Sequence, residues 1–379
     1  MNVLVFTPYL YDTVPGQRFR IEQWARHLER QGIHCTFLPF ETAALKDVLY
    51  ETRHFETKLK ELGYSLARRL GQMTRRWAKW DLIYLYRELL PVGPTLLERW
   101  VAAQGIPVIY DFDDAIFLPA ASPANQRFQW LKQPQKTGEI CRLSTHVIVG
   151  NSYLAGYARR WTPKVTVIPT TIDTDVYQPK GHVEIRGVPI IGWSGSLTTV
   201  EHLQTAAPVL QQLARRCQFR LRVIGSQTVR IDGVEVEAGP WRAGTEVQDL
   251  TAFDVGIMPL PDDPWARGKC GLKALQYMAL GIPTVASPVG VNEEIITDGV
   301  NGFLAGSPEE WIDKLSRLLE DAPLRARCAQ EARRTVEQRY AAKIQVPRVI
   351  EVFEQASGRR SFQESQRTAV PASPEVIAT

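Results

Sequence analysis

The sequence predicts an α/β protein made of two Rossmann-like, doubly wound parallel-sheet domains facing each other across a cleft. Three observations carry this expectation. Short apolar runs alternate with amphipathic segments of helical period. The alternation breaks once, in the polar stretch "QPKGHVEIRGV" from Gln178 to Val188, and then begins afresh. The length, 379 residues, exceeds the size at which one hydrophobic core usually stops growing. With 44% hydrophobic and 23% charged residues, the chain has material for two cores and is not disordered overall.

The first domain, residues 1–180, opens on the strand "NVLVFTP". After a Pro/Gly loop, "RFRIEQWARHLERQG" spaces Phe19, Ile21, Trp24 and Leu28 as a helix that stops at Gly32. "IHCTFLPF" is the next strand. The strand-helix-strand order then repeats in "DLIYLY", "PTLLERWVAAQG" and "PVIYDFDD", and again in "THVIVGN", "SYLAGYARRW" and "KVTVIPT". The second domain, residues 186–345, runs from the strand "PIIGWSG" through "FRLRVIG", "DVGIMPL" and "PTVAS", with helical segments between them. Residues 346–356 form a last helix after a break near Val346–Pro347, able to pack back on the first domain. The tail 357–379 is polar, carries two prolines and lacks periodicity, so disorder is expected there.

A net charge of +4 is too small for a chain that binds nucleic acid through its whole surface, so no nucleic-acid partner is expected. The segment 53–79 is locally basic, and Leu59, Leu62, Leu66 and Leu70 fall on one helical face within it. Such a face can rest on an anionic membrane or pack on its own domain. Five scattered cysteines suit reduced thiols. The first residues lack a signal-peptide pattern, and no run reaches the roughly 18 apolar residues of a span. A cytoplasmic protein, with at most peripheral contact at the inner membrane face, is expected.

The stretch "GKCGLKALQYMALGIPTVASPVG" from Gly268 to Gly290 carries the sharpest chemical signal. It starts a helix with Lys269 and Lys273, although a helix N-terminus is already partly positive and lysines at i and i+4 repel. Gln276 continues the same face. Free amides at Cys270, Gly271 and Leu272, with glycines that allow close approach, make this a site for an anion, best a diphosphate. Lysines that merely extend into water are the competing reading. "VIYDFDDAIF" runs a strand into Asp111, Asp113 and Asp114, which puts negative charge at the cleft edge. These carboxylates suit acceptor hydroxyls, or helix capping; a metal is not expected from so few ligands.

"CGLKALQYMALGIPTVASPVGVNEEIITDGVNGFLA" resembles the nucleotide-sugar segment of glycosyltransferase family 4, retaining enzymes of the two-Rossmann-domain GT-B fold. The resemblance implies a nucleotide-diphosphate sugar donor, a glycan or lipid-linked acceptor, no cofactor, and transfer of a hexosyl group with retention in cell-surface polysaccharide or glycolipid synthesis. It also places two frequent glutamates of the family at Gly268 and Gln276, the second of which usually accepts from ribose hydroxyls. Lys273 matches a family variant. The Arg and Lys that often follow the first strand of the second domain are replaced by Ser194, Gly195, Ser196 and Thr198. Arg267, Lys269 and Lys273 are therefore expected to hold and activate the diphosphate, with Gly195 and Ser196 assisting. In the first domain Gly16 resembles the family's glycine loop, and Arg18 and Arg20 are candidates for donor phosphate or an anionic acceptor. A nucleotide-sugar epimerase or hydrolase, or a noncatalytic two-domain sugar-binding protein, remains the rival reading.

Overall fold

Val3, Leu4, Val5 and Phe6 are all buried along strand β1 (Asn2–Thr7), and a strand apolar on both faces needs cover on both sides. The computed structural model describes residues 1–49, 55–74, 77–119, 133–179, 181, 185, 187–196 and 199–359. Beside β1 run β2 (His34–Pro39) and β3 (Leu82–Tyr86), then β4 (Val108–Phe112), β5 (His146–Val149) and β6 (Val165–Val167). All pairings are parallel, with Val3 opposite Cys35 on one side and Leu82 on the other. The second sheet holds β7 (Ile190–Ser194), β8 (Arg220–Ile224), β9 (Glu235–Gly239), β10 (Val255–Met258), β11 (Thr284–Ala286) and β12 (Phe303–Leu304).

Strand order is β2-β1-β3-β4-β5-β6 in the first sheet and β12-β11-β10-β7-β8-β9 in the second. Order reverses between β1 and β3, and again between β7 and β10. Connections leave such points in opposite directions and open a crevice at the carboxyl ends of the strands. The fold is GT-B, two doubly wound sheets with their crevices turned toward one another.

The expected first helix is broken. A turn at Pro15–Gln17 passes into a wide π-type turn, Arg18–Glu22, before helix α1 (Gln23–Glu29). Arg20 has non-helical angles, φ −125 and ψ −115. The kink turns its guanidinium inward onto Asp111, a long-range partner that local periodicity does not report.

Helix α2 (Phe55–Met73) lies over the ends of β1 and β2. Arg69 donates to the Leu38 and Thr7 carbonyls at 2.9 and 3.0 Å, and Arg68 to the Phe40 carbonyl at 2.8 Å. Lys58 is buried too, while Phe55, Leu59, Leu66 and Leu70 are exposed. Thus the helix turns three of its basic residues toward the protein and its apolar face outward, which weakens the electrostatic case for an anionic membrane. Arg53, Arg75 and Arg76 lie outside the described residues. Among the described residues no helix is long and apolar enough to cross a membrane.

In the second domain α3 (Glu246–Thr251) follows β9, and α4 (Leu272–Ala279) follows β10. The last helix, α5 (Ala342–Ser357), returns to the first sheet, where Val346, Val349, Val352 and Phe353 pack with Val3, Val5 and Tyr84. The chain turns at Ala341 rather than near Pro347, because Ala342 N–H donates to Ile172 O and Ile172 N–H to Tyr340 O, both at 2.9 Å. Pro347 stays inside the helix. Gly358, in the left-handed region at φ 68, closes α5, and residues 360–379 of the expected disordered tail lie outside the described residues.

Candidate functional site

At the crevice of the second sheet β10 leads through "PDDPWARGKCG" into α4. Asp263 accepts from Ala266 N–H at 2.7 Å and caps the short turn Pro264–Arg267. Gly271 then takes φ +71 as the N-cap of α4, where a Cβ would meet Ile295 at 2.3 Å. Only glycine suits both constraints, and it brings no side-chain acceptor for the first-turn amides. The helix N-terminus is therefore left with its donors and its positive end uncapped by this position.

Two lysines and a histidine gather there. Lys273 is half-buried with its Nζ 4.8 Å from the centre of the Trp193 ring, and Lys269 Nζ lies 5.8 Å from the Trp265 ring centre. Burial, and then the charge of Lys269, push the Lys273 ammonium down to about 7. His202, in the turn Val200–Gln204 after β7, is buried and its Nδ1 finds no hydrogen-bond partner. Burial, followed by Lys269 and Lys273, pushes it down to about 4. Two lysines beside one wall of indole, with a neutral histidine behind them, make this recess a place of positive potential.

The facing wall comes from the ends of β1, β3 and β4. Arg87 sits in the left-handed region at φ 57, a strained place for a side-chain-bearing residue. Its guanidinium bonds Asp113 at 2.9 Å and Asp114 at 2.5 Å, and Tyr86 donates to Asp113 at 2.7 Å. Burial raises the Asp114 carboxyl, with Arg87 and Lys269 pulling the other way. Asp113 is held below its usual range, because Arg87 and Arg20 outweigh burial. A Cβ on Gly16 would stand 2.5 Å from Asp113 and 2.6 Å from the Tyr86 hydroxyl, so a side chain here would displace this cluster. Among the described residues no group of three or more His, Cys, Asp or Glu is placed to hold a metal.

The two walls touch. Gly268 packs on Ala115, whose Cβ would be 2.6 Å from an added Cβ. Asn151 donates to the Lys269 carbonyl at 2.9 Å, Cys270 Sγ to the Asp113 carbonyl at 3.1 Å, and Arg18 pairs with Glu246 at 3.0 Å.

Residues 188–321 match the family model described as Glycosyl transferases group 1. The second domain belongs to this family. Two curated relatives are both D-inositol 3-phosphate glycosyltransferases. The one from Stackebrandtia nassauensis is 27% identical over 62% of this chain and 60% of its own length. The one from Xylanimonas cellulosilytica is 31% identical over 47% of this chain and 37% of its own. The chain thus spans less than two thirds of the length of these relatives. Among solved structures, sucrose-phosphate synthase from Thermosynechococcus elongatus has TM-score 0.69 at 15% identity, covering 93% of this chain and 98% of that one. Anabaena HepE in complex with UDP and glucose has TM-score 0.64 at 17% identity, covering 93% and 99%. These likenesses establish the GT-B fold across both domains.

Across this group 1 glycosyl transferase domain and the domain facing it, the expected site residues divide. Lys269 and Lys273 come together beside the backbone of Cys270, Gly271 and Leu272, and Ser196 lies in the loop after β7. Arg267 does not join them as expected; it is exposed, and its guanidinium is paired with Asp262 at 2.7 and 2.9 Å. Gly195 N–H is already bonded to the Ile224 carbonyl. Cys270 turns its thiol into the contact with Gly150 and Asp113. Gln276 is buried, its amide donating to Glu246 and to the Tyr177 hydroxyl at 3.1 Å each. Arg20 and Asp111 are removed from any acceptor site, since both are fully buried and bonded to one another at 2.8 and 3.0 Å. Arg18, expected to meet donor phosphate or an anionic acceptor, is paired with Glu246 and Asp12. In the sequence, the pair Arg87–Glu88 at the end of "DLIYLY" suits a structural or an acceptor role equally, whereas His202, Trp193 and Glu246 give no local signal of a site.

The Lys273 ammonium links this site to pH. Its folded value, about 7, lies below its usual 10.5, so the unfolded chain binds more protons in between and unliganded stability rises with pH through that window. An anion that favours the charged form should reverse the trend. The affinity for a nucleoside diphosphate is expected to fall by roughly tenfold between pH 6.5 and 8.5. Titration calorimetry at the two pH values checks this, with Lys273→Arg expected to flatten the profile.

Proposed function

We propose that the chain transfers a hexosyl group from a nucleoside-diphosphate sugar to an acceptor hydroxyl with retention of configuration, in the building of a cell-surface polysaccharide or glycolipid. The observation that carries this is Lys273, half-buried on Trp193 at the uncapped start of α4, its ammonium lowered by burial and then by Lys269. A diphosphate would turn each of these unfavourable terms into a charge-assisted contact. The family match and the relatives' names support the reading, as does the fold shared with a protein solved with UDP and glucose.

In the proposed reaction the bond between the anomeric carbon and the leaving phosphate oxygen breaks as the acceptor oxygen forms its bond on the same face. The acceptor proton passes to the departing phosphate oxygen. Lys269, Lys273 and the amides of Cys270, Gly271 and Leu272 stabilise the charge growing on that oxygen, without a metal. A nucleophilic carboxylate is not required, in keeping with Gly268, where the contact with Ala115 leaves no room for a side chain. Asp114, with Arg87, would meet acceptor hydroxyls from the opposite wall.

A thermal-shift screen tests the donor reading, because a ligand that binds only the folded state raises stability by about 2.7 kcal/mol at a hundred times its Kd. At least one nucleoside diphosphate should raise Tm, and much less so in Lys273→Met. A flat panel would sink the proposal. Product analysis with and without acceptor then separates transfer from hydrolysis or epimerisation.

A further inference from the structure

Glu246 opens α3 and is buried, yet four donors converge on it from three directions. Trp241 Nε1 at 2.8 Å and Gln276 Nε2 at 3.1 Å reach Oε1; the Tyr177 hydroxyl at 2.7 Å and Arg18 Nη1 at 3.0 Å reach Oε2. A carboxylate has about four lone-pair positions, so this one is saturated. Three of the donors come from Trp241, Gln276 and Tyr177, which lie in or lead into the second domain. The fourth, Arg18, crosses from the loop after β1, 228 residues away in sequence. Its guanidinium also lies 5.2 Å from the centre of the Trp241 ring, so it covers the carboxylate.

We infer that Glu246 is a donor-binding carboxylate that takes a pair of ribose hydroxyls, and that Arg18 occupies that place in the unliganded chain as a latch between the domains. This rests on the donor reading above. Gln276, which touches Glu246, stands three residues beyond Lys273 on α4, about 4.5 Å along the axis. A ribose attached to a diphosphate at Lys269 and Lys273 is therefore within reach of Glu246. Gln276 carries an amide and not a carboxylate, and its Nε2 donates to Glu246; it orients the acid that takes that part. A diol donates two hydrogen bonds to one carboxylate, and on a saturated acceptor it must displace a donor. Arg18 is the displaceable one, because it belongs to the opposite wall and has a second anion, Asp12, at 2.7 Å to return to.

The latch makes Arg18 a competitor of the donor, whereas a phosphate-binding role would make it a helper. The two predict opposite signs. Kd is measured by calorimetry for UDP, GDP and ADP, each with its 2′,3′-dideoxy counterpart, on wild type, Arg18→Met and Glu246→Gln. For the ribonucleotide that binds, Arg18→Met should tighten binding about fivefold, through release of the latched fraction. Glu246→Gln should weaken it by about tenfold, the loss expected for hydrogen bonds to a charged acceptor. The dideoxy form should respond to neither substitution. Weaker binding of both forms by Arg18→Met, or a ribose preference unchanged in Glu246→Gln, overturns the inference while leaving the donor reading intact. If no nucleotide binds either wild type or Arg18→Met, the donor reading fails and the inference falls with it. Should Glu246→Gln not fold, the sign of the Arg18→Met effect alone decides.

Discussion

Replacing Lys273 by alanine is expected to lower kcat for sugar transfer by about 10²–10³-fold, the usual cost of one preorganised donor at a developing oxyanion. The unliganded protein should be at least as stable as wild type. That pairing of signs is the diagnostic part. Lys273 is held against Trp193, loses hydration there and is repelled by Lys269, so its charge destabilises the empty site. Removing it relieves the repulsion and lets the remaining cation hydrate. A lysine whose role was structural would show the reverse, lower stability with activity following the folded fraction. Steady-state kinetics and thermal melts on the same preparation distinguish the two. Lys269→Ala should behave similarly but more mildly in stability, since Lys269 Nζ lies 5.8 Å from the Trp265 ring centre, against 4.8 Å for Lys273 and Trp193. In the double variant the two kinetic losses should fall short of additive, because both cations act on one diphosphate.

The residues most legible in sequence were those whose neighbours are close in the chain. Asn2–Thr7 and Ile190–Ser194 announce strands through unbroken apolar runs, and the glycines at 268 and 271 mark the turn into α4. Lys269 and Lys273 interact, and the direction of the Lys273 shift shows it. They do not meet through helical spacing, because α4 starts at Leu272 after Gly271 in the left-handed region and Lys269 lies in the turn before it. What sequence could not supply was the partner of each charge. Arg18 looks like a free cation until Glu246, far along the chain, is folded onto it. Arg267 looks like a member of the cationic cluster, but Asp262, five residues earlier, reaches it first. That pair was within reach of a local reading, since the intervening turn brings i and i+5 together. Gln276 looked like a ribose ligand because position was weighed without its surroundings; buried amides bond whatever acceptor lies nearest. Of the two readings open for the basic stretch around α2, packing on its own domain accounts for Arg68 and Arg69, which close the carbonyl ends of strands.

Asp111→Ala is expected to cost about 3–5 kcal/mol of stability, enough to unfold much of the chain at physiological temperature, because it leaves a buried guanidinium without its counter-charge. Both groups are fully buried. Arg20 donates to Asp111 through Nε and Nη2 and to the Ile168 carbonyl through Nη1, and its guanidinium lies over the Trp24 ring at 4.8 Å. Tyr84 completes the set by donating its hydroxyl to the same carboxylate. The position of Asp111 carries the hint of this in sequence. It lies inside "VIYDF", between Tyr110 and Phe112, rather than beyond the strand end like Asp113 and Asp114, and a carboxylate inside a buried strand requires a cation. The kink at Arg20 is the backbone change that delivers it. The pair ties the turn after β1 to β4, so it fixes the loop that carries Gly16 and Arg18 toward the cleft without itself meeting substrate. Arg20→Met should therefore destabilise less than Asp111→Ala, since the buried acid can take up a proton and stay bonded to Tyr84. Urea denaturation at neutral pH checks the ranking. Activity normalised to the folded fraction should remain close to wild type in both variants. A selective loss of kcat in a fully folded Asp111→Asn would instead place this carboxylate among the groups that meet the acceptor.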